Sequence, residues 1–428
     1  MSSFSFTELD VLSVNPVRNR RTFLKLLGAS GFATATYSYF RGIRIPPLIW
    51  EPGALATEFS VTGAQLASSD VIQSKAQVIS DADISFRAFN PEPVITIHLN
   101  QRSRLRLSIN NIALDAVLQL NTQDKALVSE SIEGITRVIE IADSGQNSVQ
   151  LYWKLPHLNN FRFAAIGDSG GGQELAWCIQ RANALGAKFL LHLGDINYQS
   201  SDYQTAIELF NQAPIPCYVS IGNHDFHDFG SQHQQFTDDI GPLNHHFTLG
   251  NTRFINLDTA SNTLPYAAGN RGRLFDHVIG KQGQINTIAF THRPLFDPRA
   301  GESHDIGSDG ERDWLIDMLH KTQTSTLLSG HLHTFAHHTI SGINNIIVGQ
   351  GLGHQDILTN SDYSKMAIGQ VSESGAVKFE FLPLSMPMEM HCHPRTDEVK
   401  QSIIDPRHTA VLAEIEAACE QAGDWTPN

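Results

Sequence analysis

The sequence predicts an α/β fold preceded by a smaller all-β segment. After Phe161, short apolar runs alternate with stretches of helical spacing, which is the pattern of α/β layers. Between about residues 80 and 155 there are only short β-rich runs, separated by Asn, Pro, Gly, Asp and Ser. The chain has 428 residues, more than the roughly 250–300 at which single cores stop growing, so more than one unit is expected. The expected organisation is a leader and linker over 1–56, a β-sandwich over 57–157, an α/β domain over 158–385, and a tail with a short helix over 386–428.

The leader contains "NRRTFLKLLGASGFATATYSYF", with Arg20 and Arg21 followed by Phe23, Leu24 and Lys25 and then by an uncharged run up to Arg41. This R-R-x-F-L-K pattern resembles a twin-arginine export signal. The resemblance implies recognition by the twin-arginine translocation machinery and a periplasmic or extracellular location. That route carries folded cargo, often loaded with a cofactor. Ala33-Thr34-Ala35 and Ala54-Leu55-Ala56 both have the A-x-A form of a cleavage site, and an uncleaved leader would tether the protein to a membrane. No later run approaches the roughly 18 apolar residues of a span, so the remainder is expected to be soluble.

The β-rich runs are "ISFRAF", "VITIHL", "RLRLSI", "AVLQL", "TRVIEIA" and "SVQLYW". Period-two patterning and regular turn signals suggest a sandwich of the Ig or fibronectin III type, with a structural or positioning role. In the second half the candidate strands are "FRFAAIGD", "KFLLHLGD", "CYVSIGNHD", "TRFINLD", "INTIAFTH", "STLLSGH" and "INNIIVG". "QELAWCIQRANALG" and "SDGERDWLIDMLHK" have helical spacing, and Ser308 and Glu311 sit at capping-box separation. In the tail, "RHTAVLAEIEAACEQ" reads as a helix, and His391, Cys392 and His393 could bind a metal, although three adjacent residues in a polar tail are more often simply solvated.

Lys and Arg number 30 against 44 Asp and Glu, a net charge of −14. Such a surface does not suit a phosphate backbone, so no nucleic-acid scaffold is expected as a partner. Cys178, Cys217, Cys392 and Cys419 are far apart with no CxxC, which suggests neither a zinc cluster nor a dense disulfide framework.

Five of the candidate strands end in residues that bind hard or borderline metals. They supply Asp168 in "GDSG", Asp195 and Tyr198 in "GDINY", Asn223 and His224 in "GNHD", His292 in "FTHRP", and His331 and His333 in "SGHLH". In open α/β sheets the carboxyl ends of strands are where sites form, so these residues can converge. Each fragment alone is a turn, a cap or a satisfied histidine more often than a ligand. The complete ordered set is hard to reach by chance.

The set resembles the metallophosphoesterase, or calcineurin-like, superfamily, and within it the purple acid phosphatase branch. The general superfamily begins with D-x-H, whereas Asp168 here is followed by Gly170. In the purple acid phosphatase pattern the Tyr of G-D-x-x-Y supplies the missing ligand, and Tyr198 holds that place. The resemblance spans roughly residues 161 to 355, including "FTLGNTRFINLDT" and "VGQGLG". It implies a four-layer αββα domain with a dinuclear centre of Fe(III) and a divalent ion (Zn, Mn or Fe), two divalent ions being the alternative. A phenolate favours trivalent iron, while imidazole and amide oxygen suit the divalent ion. By carry-over, Asp168, Tyr198 and His333 hold the ferric ion, Asn223, His292 and His331 hold the divalent ion, and Asp195 bridges.

The implied reaction is two-metal hydrolysis of small phosphate monoesters, as in an acid phosphatase. His224 would stabilise the transition state or protonate the leaving group. Asp225 is expected either to orient His224 or to anchor its loop. Arg293 is a candidate for a phosphate oxygen or a structural ion pair. His227, His245, His246 and His354 lie in segments read as loops flanking the motifs, where substrate contact competes with a surface or capping role. His337 and His338 read as strand-surface residues. The alternative functions are a phosphodiesterase or nucleotidase on the same site and, more remotely, a surface binding protein whose catalytic domain has decayed.

Overall fold

The computed structural model describes residues 57–386 except 62–63, 74–82, 100–103, 122–127, 143–147, 159, 199–200, 226–231, 261–268, 280–285 and 354–363. The twin-arginine motif, His227, His354 and the tail beyond 386 lie outside the described residues. Among the described residues no helix is long and apolar enough to cross a membrane.

The N-terminal part is all β. Its strands are β1 (Thr57–Val61), β2 (Ala64–Ser68), β3 (Val71–Gln73), β4 (Asp83–Ala88), β5 (Val94–Leu99), β6 (Leu105–Asn110), β7 (Val117–Asn121), β8 (Val128–Glu133), β9 (Thr136–Ile141) and β10 (Ser148–Lys154). They form two five-stranded sheets, ordered β1-β2-β5-β10-β7 and β3-β4-β6-β9-β8. Leu105, Leu107 and Ile109 of β6 and Val149, Leu151 and Trp153 of β10 point alternately inward, and both rows join one apolar cluster. Trp153 Nε1 donates to Glu130 Oε1 at 2.9 Å, so the buried indole does not strand its donor.

The second part alternates strands and helices: β11 (Phe161–Ile166), α1 (Gln173–Ala184), β12 (Leu190–His192), α2 (Asp202–Gln212), β13 (Cys217–Val219), α3 (Gln232–Asp239), β14 (His245–Leu249), β15 (Thr252–Leu257), α4 (Asn270–Ile279), β16 (Asn286–Thr291), α5 (Asp309–Lys321), β17 (Thr324–Ser329), β18 (Phe335–Ile340), β19 (Ile343–Val348), β20 (Lys365–Val371) and β21 (Val377–Pro383). One sheet runs β13-β12-β11-β20-β21 and the other β14-β15-β16-β17-β19-β18. Strands β11, β12 and β13 are parallel, as are β15, β16, β17 and β19. Helices α1, α2, α4 and α5 provide the crossovers that parallel pairing requires. An aromatic layer joins the two sheets: Phe163 stacks on Phe189 at 5.6 Å, and Phe254 meets both edge-on at 5.2 and 5.4 Å. The Ser308 hydroxyl accepts from Glu311 N at 3.2 Å and caps α5 where the sequence places its start.

His245 and His246 are not loop residues; they open β14, opposite Asn256 and Ile255. The hairpin is closed by Gly250 and Asn251, with Gly250 at φ +55°, a turn that suits the twist of paired strands. Two histidines at a strand start read as polar, which hid the alternation.

A polar latch ties the two parts together. Arg87 of β4 is buried, and its Nη1 donates to Asn110 Oδ1 at 3.0 Å and to Asn211 Oδ1, at the end of α2, at 2.9 Å. Its Nη2 donates to the Cys217 carbonyl at 3.2 Å. The Asn111 side chain accepts from Cys217 N at 2.8 Å and donates to Cys217 O at 3.0 Å. Strand β13 is the last of its sheet, so Asn111 pairs with it as another strand would.

Candidate metal centre

Parallel strands bring their carboxyl ends to one side, so residues far apart in sequence meet there. Asp168 follows β11, Asp195 follows β12, Asn223 follows β13, His292 directly follows β16, and His331 and His333 follow β17. Backbone bonds stitch these loops together: Asp168 N to Gly194 O at 2.9 Å, Gly330 N to His292 O at 3.0 Å, and Gly351 N to Gly167 O at 2.9 Å. Three of the residues adopt left-handed backbone, Asp168 at φ +61°, Asp195 at +59° and His331 at +66°. Asp and His enter this region more readily than most residues, yet as non-glycine positions each still stores on the order of 1 kcal/mol at the site.

Asp195 is buried at the middle of the cluster. Its Oδ2 lies 3.3 Å from the Tyr198 hydroxyl and 3.4 Å from His292 Nε2, and its Oδ1 accepts from His224 N at 2.9 Å. His292 donates from Nδ1 to the Leu193 carbonyl at 2.8 Å, which turns Nε2 inward to within 2.9 Å of Asn223 Oδ1. The Tyr198 hydroxyl is 3.1 Å from His333 Nε2, which in turn lies 3.6 Å from Asp168 Oδ1. Asp168 Oδ2 accepts from His331 N at 2.8 Å. His331 Nε2 faces Arg293 Nη1 at 3.0 Å. The seven residues proposed as ligands therefore lie in one contiguous set of contacts.

These residues fit a pair of metal ions. Asp168 Oδ1 is buried and has no hydrogen-bond partner, a costly state for a carboxylate unless a cation faces it. The ligand atoms of Asp195, His292 and His331 lie within 4.8 Å of one another. At His292 Nε2 a carboxylate and an amide oxygen both converge, and acceptors converging on a nitrogen suit a cation. Burial opposes charge on His292, but Asp195, with Asp168 behind it, overrides burial and pushes its pKa up to about 9. Burial also raises Asp195, but His292 outweighs it and leaves that carboxyl below the usual range. Asp168 goes the other way, raised by burial and further by Asp195, against the pull of His292. Burial, His292 and Arg293 hold His331 down to about 2, so it stays unprotonated.

Asp225 makes the bonds of a loop anchor. Its Oδ2 accepts from Gly222 N at 2.7 Å and Asp195 N at 3.1 Å, and its Oδ1 accepts from Ile196 N at 2.8 Å. Those three amides fix two ligand loops against each other. Burial, and then the Asp195 charge, raise its pKa to about 7. His224 packs its ring 4.6 Å from that of Tyr198. His245 is buried away from this cluster, with Phe89 at 5.2 Å edge-on, while His337 and His338 lie on β18 as expected.

Other contributors were missed in the sequence. Asp202 Oδ2 accepts from Tyr198 N at 3.0 Å and holds the tyrosine loop. His304 places its ring 6.2 Å from His331 out of a polar loop that carries no motif. Gly222 is required for space, because a Cβ there would overlap Asp195 Oδ1 and Asp195 N. Gly222→Ala is expected to displace Asp195 and reduce bound metal well below wild type while the protein stays folded. Metal analysis beside circular dichroism checks this, and full metal occupancy would refute it.

Residues 161–335 match the family model described as calcineurin-like phosphoesterase. No curated protein matches the chain significantly. Among solved structures, a purple acid phosphatase, PPD1, from seeds of yellow lupin (Lupinus luteus) is 11% identical with a TM-score of 0.46, the alignment covering 75% of this chain and 77% of that one. GAP50, described as the anchor in the inner membrane complex of Plasmodium, is 17% identical over 53% of this chain and 85% of its own, with a TM-score of 0.39. A putative 5'-nucleotidase from Staphylococcus aureus is 15% identical over 60% of this chain and 58% of its own, with a TM-score of 0.37. The family match over 161–335, and not these distant structural likenesses, supports a metal-dependent hydrolase acting on phosphoester bonds.

Proposed function

We propose that the chain is an exported purple-acid-phosphatase-like enzyme that hydrolyses phosphate monoesters. The observation that carries this reading is the Tyr198 hydroxyl, held 3.3 Å from Asp195 Oδ2 and 3.1 Å from His333 Nε2 inside the carboxylate–histidine cluster. A phenol meant only for packing has no need of two ligand-type partners. Asp168, Tyr198 and His333 would hold a ferric ion, Asn223, His292 and His331 a divalent one, and Asp195 both. When bound, such ions supply Lewis-acid polarisation of a phosphoryl group and ionise water near neutral pH.

The protein's own groups do the rest. The three Asp225 bonds to backbone amides keep the Asp195 and Asn223 loops in register. His292 is fixed as a ligand by its bond to Leu193 O. The backbone of His224 is pinned to Asp195 Oδ1 and its ring rests on Tyr198, which places an imidazole beside the cluster to donate a proton to the departing alkoxide. The four-layer αββα reading is supported by the aromatic layer between the two sheets, with helices as crossovers. Export through the twin-arginine route rests on Arg20, Arg21 and the Phe-Leu-Lys that follows.

The test is the visible absorption spectrum of the purified protein beside Tyr198→Phe. A broad band from phenolate-to-iron charge transfer is expected in the wild type and absent in the variant. A colourless, iron-free protein that still hydrolyses phosphoesters would demote Tyr198 to packing and leave a centre of two divalent ions.

A further inference from the structure

Arg293 is a cation facing a cluster of ligand atoms, and among the described residues no carboxylate lies within ion-pair distance of it. Its Nη1 lies 3.0 Å from His331 Nε2, and its Nε is buried without a hydrogen-bond partner. The acidic groups whose charge reaches it are Asp195, Glu311 and Asp305. Glu311 is already paired with Arg271. Asp195 is taken up by His224 N, the Tyr198 hydroxyl and His292.

A guanidinium has only donors, and the single lone pair on His331 Nε2 cannot serve both an arginine N–H and a metal ion. With a metal on that nitrogen, Arg293 loses its acceptor while its Nε still has none. Its backbone does not follow, because Arg293 N donates to Thr259 Oγ1 at 2.7 Å and the next residue, Pro294, has its carbonyl bonded by Ile306 N at 3.0 Å. Only the side chain would be free to turn, and it lies beside the cluster of candidate ligand atoms.

We propose that Arg293 reads the substrate's charge: its fork takes a terminal phosphoryl oxygen that a monoester has to spare and a diester lacks. This rests on the two-metal reading above. A monoester dianion has three terminal oxygens, so two can face the metals and one remains for the guanidinium. A diester has two terminal oxygens and a single charge, so it leaves the arginine nothing of comparable charge to hold. Arg293 is thus a specificity-determining residue for phosphate monoesters.

The experiment uses metal-loaded wild type, Arg293→Ala and Arg293→Lys. It compares p-nitrophenyl phosphate with bis(p-nitrophenyl) phosphate, measures inorganic phosphate binding by calorimetry, and records metal content. Arg293→Ala is expected to lower kcat/KM for the monoester roughly 10–100-fold and to weaken phosphate binding similarly, the range of a charged hydrogen bond. Diester hydrolysis should change by less than about threefold, metal content should be unchanged, and the lysine variant should recover part of the phosphate affinity. Equal losses on both substrates, unaltered phosphate binding, or loss of metal from Arg293→Ala would each overturn the proposal. A metal-loaded wild type that cleaves neither ester would instead sink the hydrolytic reading, and phosphate binding alone would then decide the role of Arg293.

Discussion

Asp195→Ala is expected to abolish turnover and to strip metal from the centre. One carboxylate serves both halves: Oδ2 lies within 3.4 Å of both the Tyr198 hydroxyl and His292 Nε2, while Oδ1 holds the backbone of His224. On the two-metal reading, its removal takes a ligand from each ion and releases the proposed acid at the same time. The fall in kcat should exceed the roughly 10²–10⁴-fold attributed to a general acid alone. The fold should persist, since Asp225 still holds the amides of Gly222, residue 195 and Ile196. Asp195→Asn keeps the shape and the bond to His224 N but loses the charge, so it should retain the loop and still bind metal poorly. The checks are metal analysis and kcat, and an alanine variant with full metal content and activity within tenfold of wild type would end the assignment.

Arg87→Ala is expected to cost about 2–4 kcal/mol of stability, with little effect on the chemistry of whatever remains folded. Burial lowers the pKa of Arg87 to about 10, so the side chain is still cationic at pH 7 and is held entirely by neutral acceptors. Truncation leaves a cavity and strips donors from Asn110 Oδ1 and Asn211 Oδ1, while Cys217 O keeps only its bond from Asn111. Arg87→Met fills part of the space without restoring the bonds, and so separates packing from hydrogen bonding. Thermal denaturation reads the effect, and a shift of the midpoint below about one degree for Arg87→Ala would show that the latch contributes nothing.

The convergence of the candidate ligands was legible because metal chemistry restricts residue type, and because a parallel sheet gathers the carboxyl ends of its strands. Asp168, Asp195, Asn223, His292 and His331 could therefore be placed near one another without any distance. The role of Asp225 could not be decided in this way, since orienting a histidine and anchoring a loop call for the same carboxylate in the same motif. Its three amide bonds favour the anchor. His304 was invisible because its approach to His331 depends on the path of a polar loop. The latch was equally hidden: nothing in the order "RAFNP" or "SINN" says that Arg87 and Asn111 both end at the backbone of Cys217. The hairpin at His245 was missed because its strand begins with polar residues, although the Gly-Asn turn that closes it was there to be read.

Asn111 has one more consequence. Its side-chain amide stands in for the backbone of a neighbouring strand, so the sheet carrying Asp168, Asp195 and Asn223 ends against Asn111, with Arg87 on the same Cys217 carbonyl. Cut away from those two residues, the α/β part would present a bare edge to other copies of itself. The piece that holds the candidate ligands is therefore not expected to be a portable cassette, since the β-rich part covers the edge through which it could pair with itself.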